Sequence, residues 1–137
     1  MDTRPVSIVV DTSAVLATLL SEPARPAVLE ATEGTTLLAA PSLPWEVGNA
    51  LVALARRRLA TGQEIQRAWA AFMHIPVRYV DVDVSAALAL ALDRGVHAYD
   101  AYVIEAARTA RAPLLTLDRR QRRAAHAAGL ESVKVAV

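Results

Sequence analysis

The chain of 137 residues has no cysteine, which excludes disulfides, thiolate metal sites and cysteine nucleophiles in one step. Lysine is almost missing too: fourteen of the fifteen basic residues are arginine, and Lys134 is the exception. Aromatic residues make up only 4%. No apolar run approaches the roughly 20 residues that a membrane-spanning helix requires, and the most apolar helical stretch, Ala86 to Leu92, is far shorter. The opening residues Met1-Asp2-Thr3-Arg4 lack the apolar centre of a secretory leader. These absences predict a soluble cytoplasmic protein with no membrane partner. A net charge of +1 means that overall charge does not by itself call for a nucleic-acid partner.

What is present is ordinary globular material, 54% apolar and 21% charged, of a length expected for one domain spanning 1–137. Glycine and proline punctuate it. Gly34, Gly62, Gly95 and Gly129 each follow a helical pattern, where a left-handed cap is wanted. Pro41, Pro76 and Pro113 mark turns. Between these marks the patterning predicts strands over 6–10, 36–40, 77–80, 114–117 and 133–137. Helices are predicted over 13–20, 26–33, 43–60, 63–73, 84–94, 98–111 and 119–128, with Asp83 or Ser85 capping the fifth. Strands alternating with helices predict an α/β protein, a mainly parallel sheet covered on both faces.

The chemistry-bearing residues are acids at element ends. Asp11 stops the first strand, and Asp118 directly follows Leu114-Leu115-Thr116-Leu117. Glu46 and Asp100 each fall in the first turn of a helix. Singly, each is accounted for as a cap or as a favourable charge at a helix N-terminus. Together they point at one end of one sheet, where ligands of such folds sit. Crowded carboxylates repel and hold protons unless a cation neutralises them. A hard divalent ion, Mg²⁺ or Mn²⁺, suits an all-oxygen shell and could activate water against a phosphodiester.

Val9-Val10-Asp11-Thr12-Ser13-Ala14, Glu46-Val47-Gly48-Asn49, Tyr99-Asp100-Ala101-Tyr102 and Leu115-Thr116-Leu117-Asp118, in that order and spacing, resemble the PIN-domain nucleases. In length the chain is most similar to the stand-alone VapC-type toxins. The resemblance implies a three-layer α/β/α sandwich around a five-stranded, mainly parallel sheet of order 3-2-1-4-5. It implies Mg²⁺- or Mn²⁺-dependent cleavage of RNA, restraint by a VapB-type antitoxin, and a homodimer. Carried over by position, Asp11, Glu46, Asp100 and Asp118 are the catalytic and metal-site acids. Asn49 is the polar partner of Glu46, while Ser13 and Thr116 orient a carboxylate or a water.

Other segments carry weaker signals. Arg119 and Arg120 follow Asp118 and could contact an RNA backbone, because arginine binds phosphate through two donors at once. Arg56-Arg57-Arg58 reads as a solvated helix face. His74, His97 and His126 share no ligand spacing and read as surface residues. Trp69, Phe72 and Met73 read as core, or as a surface for a dimer or antitoxin segment. Three alternatives compete with the nuclease. Val80-Asp81-Val82-Asp83-Val84-Ser85 superficially resembles the nucleophile motif of haloacid-dehalogenase-type phosphatases, but the lysine and glycine-led acid pair of that family are missing. A receiver-like Mg²⁺-binding module also needs a well-placed lysine and leaves Glu46 unexplained. The third is a PIN domain with a mainly binding role.

Overall fold

The computed structural model of the chain describes residues 4–135. Its strands are β1 (Ser7–Val10), β2 (Thr36–Ala39), β3 (Val77–Tyr79) and β4 (Leu114–Leu115). Its helices are α1 (Thr12–Leu19), α2 (Arg25–Thr32), α3 (Leu43–Arg56), α4 (Gly62–Phe72), α5 (Val84–Arg94), α6 (Ala98–Ala110) and α7 (Arg119–Ala127). The sheet has order β3-β2-β1-β4, and every pairing is parallel.

Side-chain alternation along β1 divides the core into two layers. Ile8 and Val10 face one way, against Ala14 and Val15 of α1, Val47 and Leu51 of α3 and Phe72 of α4. Val9 faces the other way, against Val103, Ile104 and Ala107 of α6 and Ala125 of α7. Ile8 and Val9 are both fully buried, as expected for a parallel strand with helices on each face. The result is the α/β/α sandwich that the sequence implies.

The expected fifth strand is reduced to a single parallel bridge between Leu114 and Ser132. Leu114 N–H donates to the Glu131 carbonyl at 3.0 Å, and Val133 N–H donates to the Leu114 carbonyl at 2.9 Å. Among the described residues the chain thus returns beside β4 without forming a ladder, and the sheet has four strands. Ala136 and Val137, which the sequence assigns to that strand, lie outside the described residues. β4 itself ends at Leu115 rather than Leu117. Beyond it, the Leu117 N–H is taken by Ser13 Oγ at 2.9 Å and the Asp118 N–H by Thr116 Oγ1 at 3.1 Å. Side-chain acceptors replace the neighbouring strand, which turns the backbone toward α7.

α3 also stops early, at Arg56 instead of residue 60. Arg58 adopts a left-handed φ of 58°, Leu59 N–H reaches the Leu54 carbonyl and Arg58 N–H reaches that of Ala55, a Schellman closure without glycine. Gly62, expected to cap that helix, instead begins α4. The signal for this start was present in Thr61 and Glu64, which form a reciprocal capping box. Gly34, Gly95 and Gly129 do take the left-handed conformation. On α4, Phe72 is buried and Trp69 packs on it at 5.3 Å between ring centres, whereas Met73 is exposed. Among the described residues no helix is long and apolar enough to cross a membrane.

Candidate active site

Asp11 is the N-cap of α1, and its Oδ1 accepts from the Ala14 N–H at 3.2 Å. Two hydroxyls complete its surroundings. Ser13 Oγ donates to Oδ1 at 2.6 Å, and Thr116 Oγ1, from the end of β4, donates to Oδ2. The hydroxyls approach each other at 3.3 Å and also accept the N–H groups of Leu117 and Asp118. A single network therefore ties the carboxyl end of β1 to that of β4. Burial pushes the Asp11 carboxyl above its ordinary value, the bonds from Ser13, Thr116 and Ala14 pull it down, and the Asp118 carboxylate adds to the rise.

Glu46 lies in the first turn of α3, where Ser42 Oγ donates to its Oε2 at 2.8 Å. Burial again lifts its carboxyl; the Ser42 bond opposes this, Asp100 and Asp11 add to it, and the Thr12 hydroxyl acts to lower it. Asp100 occupies the first turn of α6, on the stripe that buries Val103, Ile104 and Ala107. Its carboxyl is raised by burial and by Asp118, with His97 and Arg120 acting in the opposite direction. Asp118 caps α7 by accepting from the Arg120 N–H at 2.9 Å. The four acids thus form a closed circuit of repulsion, Asp11 with Asp118, Asp118 with Asp100, Asp100 with Glu46, and Glu46 with Asp11. Among the described residues, however, no three acids or histidines converge on one point at ligand distance.

A cavity of about 450 Å³ opens beside Glu46, lined by Thr12, Trp45, Asn49 and Tyr99 as well. Asn49 is exposed there. Arg119 and Arg120 are exposed at the start of α7, and Arg120 acts on Asp100. Arg122, by contrast, folds back to donate to the Thr116 carbonyl at 3.0 Å. His74, His97 and His126 are exposed. Asp83 caps α5, and its neighbour Asp81 is exposed.

Gln121 was not anticipated. It is buried, and its Nε2 donates to the Asp100 carbonyl at 3.1 Å, tying α7 to the turn that carries Asp100. Within an arginine-rich helix a glutamine reads as surface. The available signal was its spacing, since Gln121 and buried Ala125 lie one turn apart on the inward face.

The PIN-domain family model matches residues 8–127. The chain belongs to the PIN-domain family. Solved structures agree on the fold. PAE2754 from Pyrobaculum aerophilum superposes with a TM-score of 0.67 at 24% identity, covering 87% of this chain and 79% of that one. VapC20 of Mycobacterium tuberculosis, a sarcin-ricin loop cleaving toxin, gives 0.67 at 20% identity over 93% and 98%. VapBC2 from Rickettsia felis, bound to a DNA fragment from its promoter, gives 0.62 at 12% identity over 85% and 92%. Comparison with curated proteins gives no match.

Within this PIN domain the donor chemistry suits a divalent cation. Every acid offers oxygen only, and three of the four carboxyls are lifted by burial, with neighbouring negative charge adding to the rise. Mg²⁺ commonly keeps several waters and takes one or two carboxylates directly.

Proposed function

We propose that this PIN domain is a Mg²⁺- or Mn²⁺-dependent endoribonuclease, the toxin of a VapBC-type toxin–antitoxin pair. The observation that carries the reading is the placement of four acids around one sheet edge. Asp11 stands at the end of β1 and Asp118 just beyond its neighbour β4, tied through the Ser13 and Thr116 hydroxyls, with Glu46 and Asp100 in the first turns of α3 and α6. In this arrangement their charges repel. A fold that accumulates such repulsion at a ligand-binding edge has a use for positive charge there.

Asp11 and Asp100 would hold the ion, with Glu46 and Asp118 completing its surroundings or acting through water. When bound, such an ion makes a water more acidic and offsets the charge that grows on phosphorus during in-line displacement. The chain's own residues set the conditions for this. Ser13 and Thr116 fix both oxygens of Asp11 and oppose the effect of burial, so the carboxyl is oriented and more readily ionised. Asn49 presents an amide beside Glu46. Arg119 and Arg120 meet the phosphate backbone, which makes binding fall steeply with added salt. Hydrolysis leaves a 5′-phosphate and a 3′-hydroxyl.

The toxin assignment is supported by the similarity in fold to VapC20 and VapBC2. It carries with it a VapB-type antitoxin, a homodimer and a cytoplasmic location. The decisive experiment is cleavage of single-stranded RNA by purified protein in excess chelator, then with Mg²⁺ or Mn²⁺ restored, using wild type and Asp100→Asn. Wild-type cleavage that needs the ion and disappears in Asp100→Asn is expected. Full cleavage in chelator, or by Asp100→Asn, refutes the proposal.

A further inference from the structure

The nuclease reading leaves two side chains without a task. Trp45 is 74% exposed and Tyr99 is 54% exposed, in a chain with few aromatics. Folding buries Phe72 and most of Trp69, so these two large apolar surfaces are left in water where core space is otherwise used. Each stands one position before an acid, Trp45 before Glu46 in the first turn of α3 and Tyr99 before Asp100 in the first turn of α6. Both line the cavity of about 450 Å³ that also holds Glu46 and Asn49, a size within the usual range for a small-molecule site. Tyr99 is braced by an edge-on contact with Tyr102 at 5.7 Å and 82°. Trp45 also walls a neighbouring cavity, with Pro41 and Val82 beyond it. In the shared cavity, the exposed Asn49 amide offers a donor and an acceptor to an incoming group, and Thr12 lines the wall beside it.

We propose that Trp45 and Tyr99 form a stacking site for one unpaired nucleobase of the RNA substrate, next to the phosphodiester that the acids attack. This rests on the nuclease reading and adds to it the two side chains that grip a base of the substrate beside the acids. Aromatic faces beside a phosphate-cleaving edge suit a base, because every base has a π-face and stacking tolerates any sequence. Selectivity among bases then falls to a polar group that reaches the base edge, here the Asn49 amide. A paired base is excluded, since its faces are covered by its neighbours in the helix.

The test is steady-state cleavage of a single-stranded oligoribonucleotide and of a set in which each base in turn is removed. Trp45→Ala should raise KM about ten- to a hundredfold with a smaller effect on kcat, and Trp45→Phe should recover most of the loss. Removing the base at one position should raise the wild-type KM similarly and add nothing in Trp45→Ala. In Trp69→Phe protein, where Trp45 is the remaining tryptophan, the same oligoribonucleotide in chelator should quench its emission and a fully paired duplex should not. A folded Trp45→Ala protein with wild-type KM overturns the inference, as does a base-removal penalty that is the same in both proteins. Absent quenching overturns it whatever the cleavage assay gives, whereas quenching without cleavage would count against the nuclease assignment alone. Emission that changes with protein concentration before RNA is added would make this face a contact between copies, and the stacking site would fall.

Discussion

Thr116→Val is the sharpest probe of how the site is held. Thr116 is 1% exposed, and its hydroxyl donates to Asp11 Oδ2 while accepting the Asp118 N–H. Valine keeps the shape and removes both bonds. A hydrogen bond to an ionised group contributes roughly 1.5–3 kcal/mol, and leaving the Asp118 N–H unpaired in a partly buried place costs about 1 kcal/mol more. Partial relaxation puts the expected loss near 2–4 kcal/mol. For 137 residues, an unfolding entropy of roughly 2.1 cal/mol/K per residue makes 1 kcal/mol equal to about 3.5 °C. At a pH where the Asp11 carboxyl is ionised in both proteins, the melting temperature in chelator should therefore fall by about 7–14 °C.

The loss should also depend on pH. Losing the Thr116 bond lifts the Asp11 carboxyl further above its already raised value. The deficit of the variant is full above both folded values, where the carboxylate is ionised in each protein. It fades as pH falls through them, both lying above the ordinary 3.8, and is lost for this group below the lower of the two. Thr116→Ser keeps the hydroxyl and should lose only the value of a buried methyl, about 1 kcal/mol. Urea unfolding of the three proteins between pH 4 and 8 provides the measurement. A Thr116→Val loss below about 1 kcal/mol at neutral pH, or one that does not shrink in acid, refutes the argument.

Asp100→Asn should be more stable than wild type in chelator at neutral pH. The raised carboxyl favours folding below 3.8 and loses that contribution as pH rises through its folded value, so the advantage should grow across that window; a difference that does not vary with pH contradicts it. Mn²⁺ at a hundred times its dissociation constant should stabilise the wild type by about 2.7 kcal/mol, read as a rise in melting temperature that Asp100→Asn lacks. An equal rise in both proteins would place the ion elsewhere. Gln121→Met removes the donor to the Asp100 carbonyl together with an unpartnered buried oxygen, so stability should change by less than about 1 kcal/mol. Mn²⁺ affinity, measured by calorimetry, should nevertheless fall about tenfold, and unchanged affinity would show that the clamp is idle.

Much of the fold was legible because its causes are local. Apolar runs such as Ile8-Val9-Val10, cap residues such as Asp83, and the glycines at 34, 95 and 129 act within a few residues of themselves. Errors fell where a distant or less familiar partner took over. The predicted strand through Leu117 was cut short by hydroxyls from Ser13 and Thr116. The end of α3 moved because Arg58 accepted a left-handed conformation usually given to glycine, while Gly62 entered the next helix.

The candidate site divides in the same way. The positions of Asp11, Glu46, Asp100 and Asp118 at element ends follow from residue type and periodicity, which sequence records directly. Only the tertiary structure decided that their charges act on one another, that Thr116 and Ser13 share the two oxygens of Asp11, and that Gln121 reaches across to Asp100. The same holds for Trp45 and Tyr99 meeting at one cavity. Burial, electrostatic coupling and hydrogen-bond partnership depend on distances between residues as much as a hundred positions apart, and those distances exist only once the sheet has aligned β1 with β4 and packed α3, α6 and α7 around its edge.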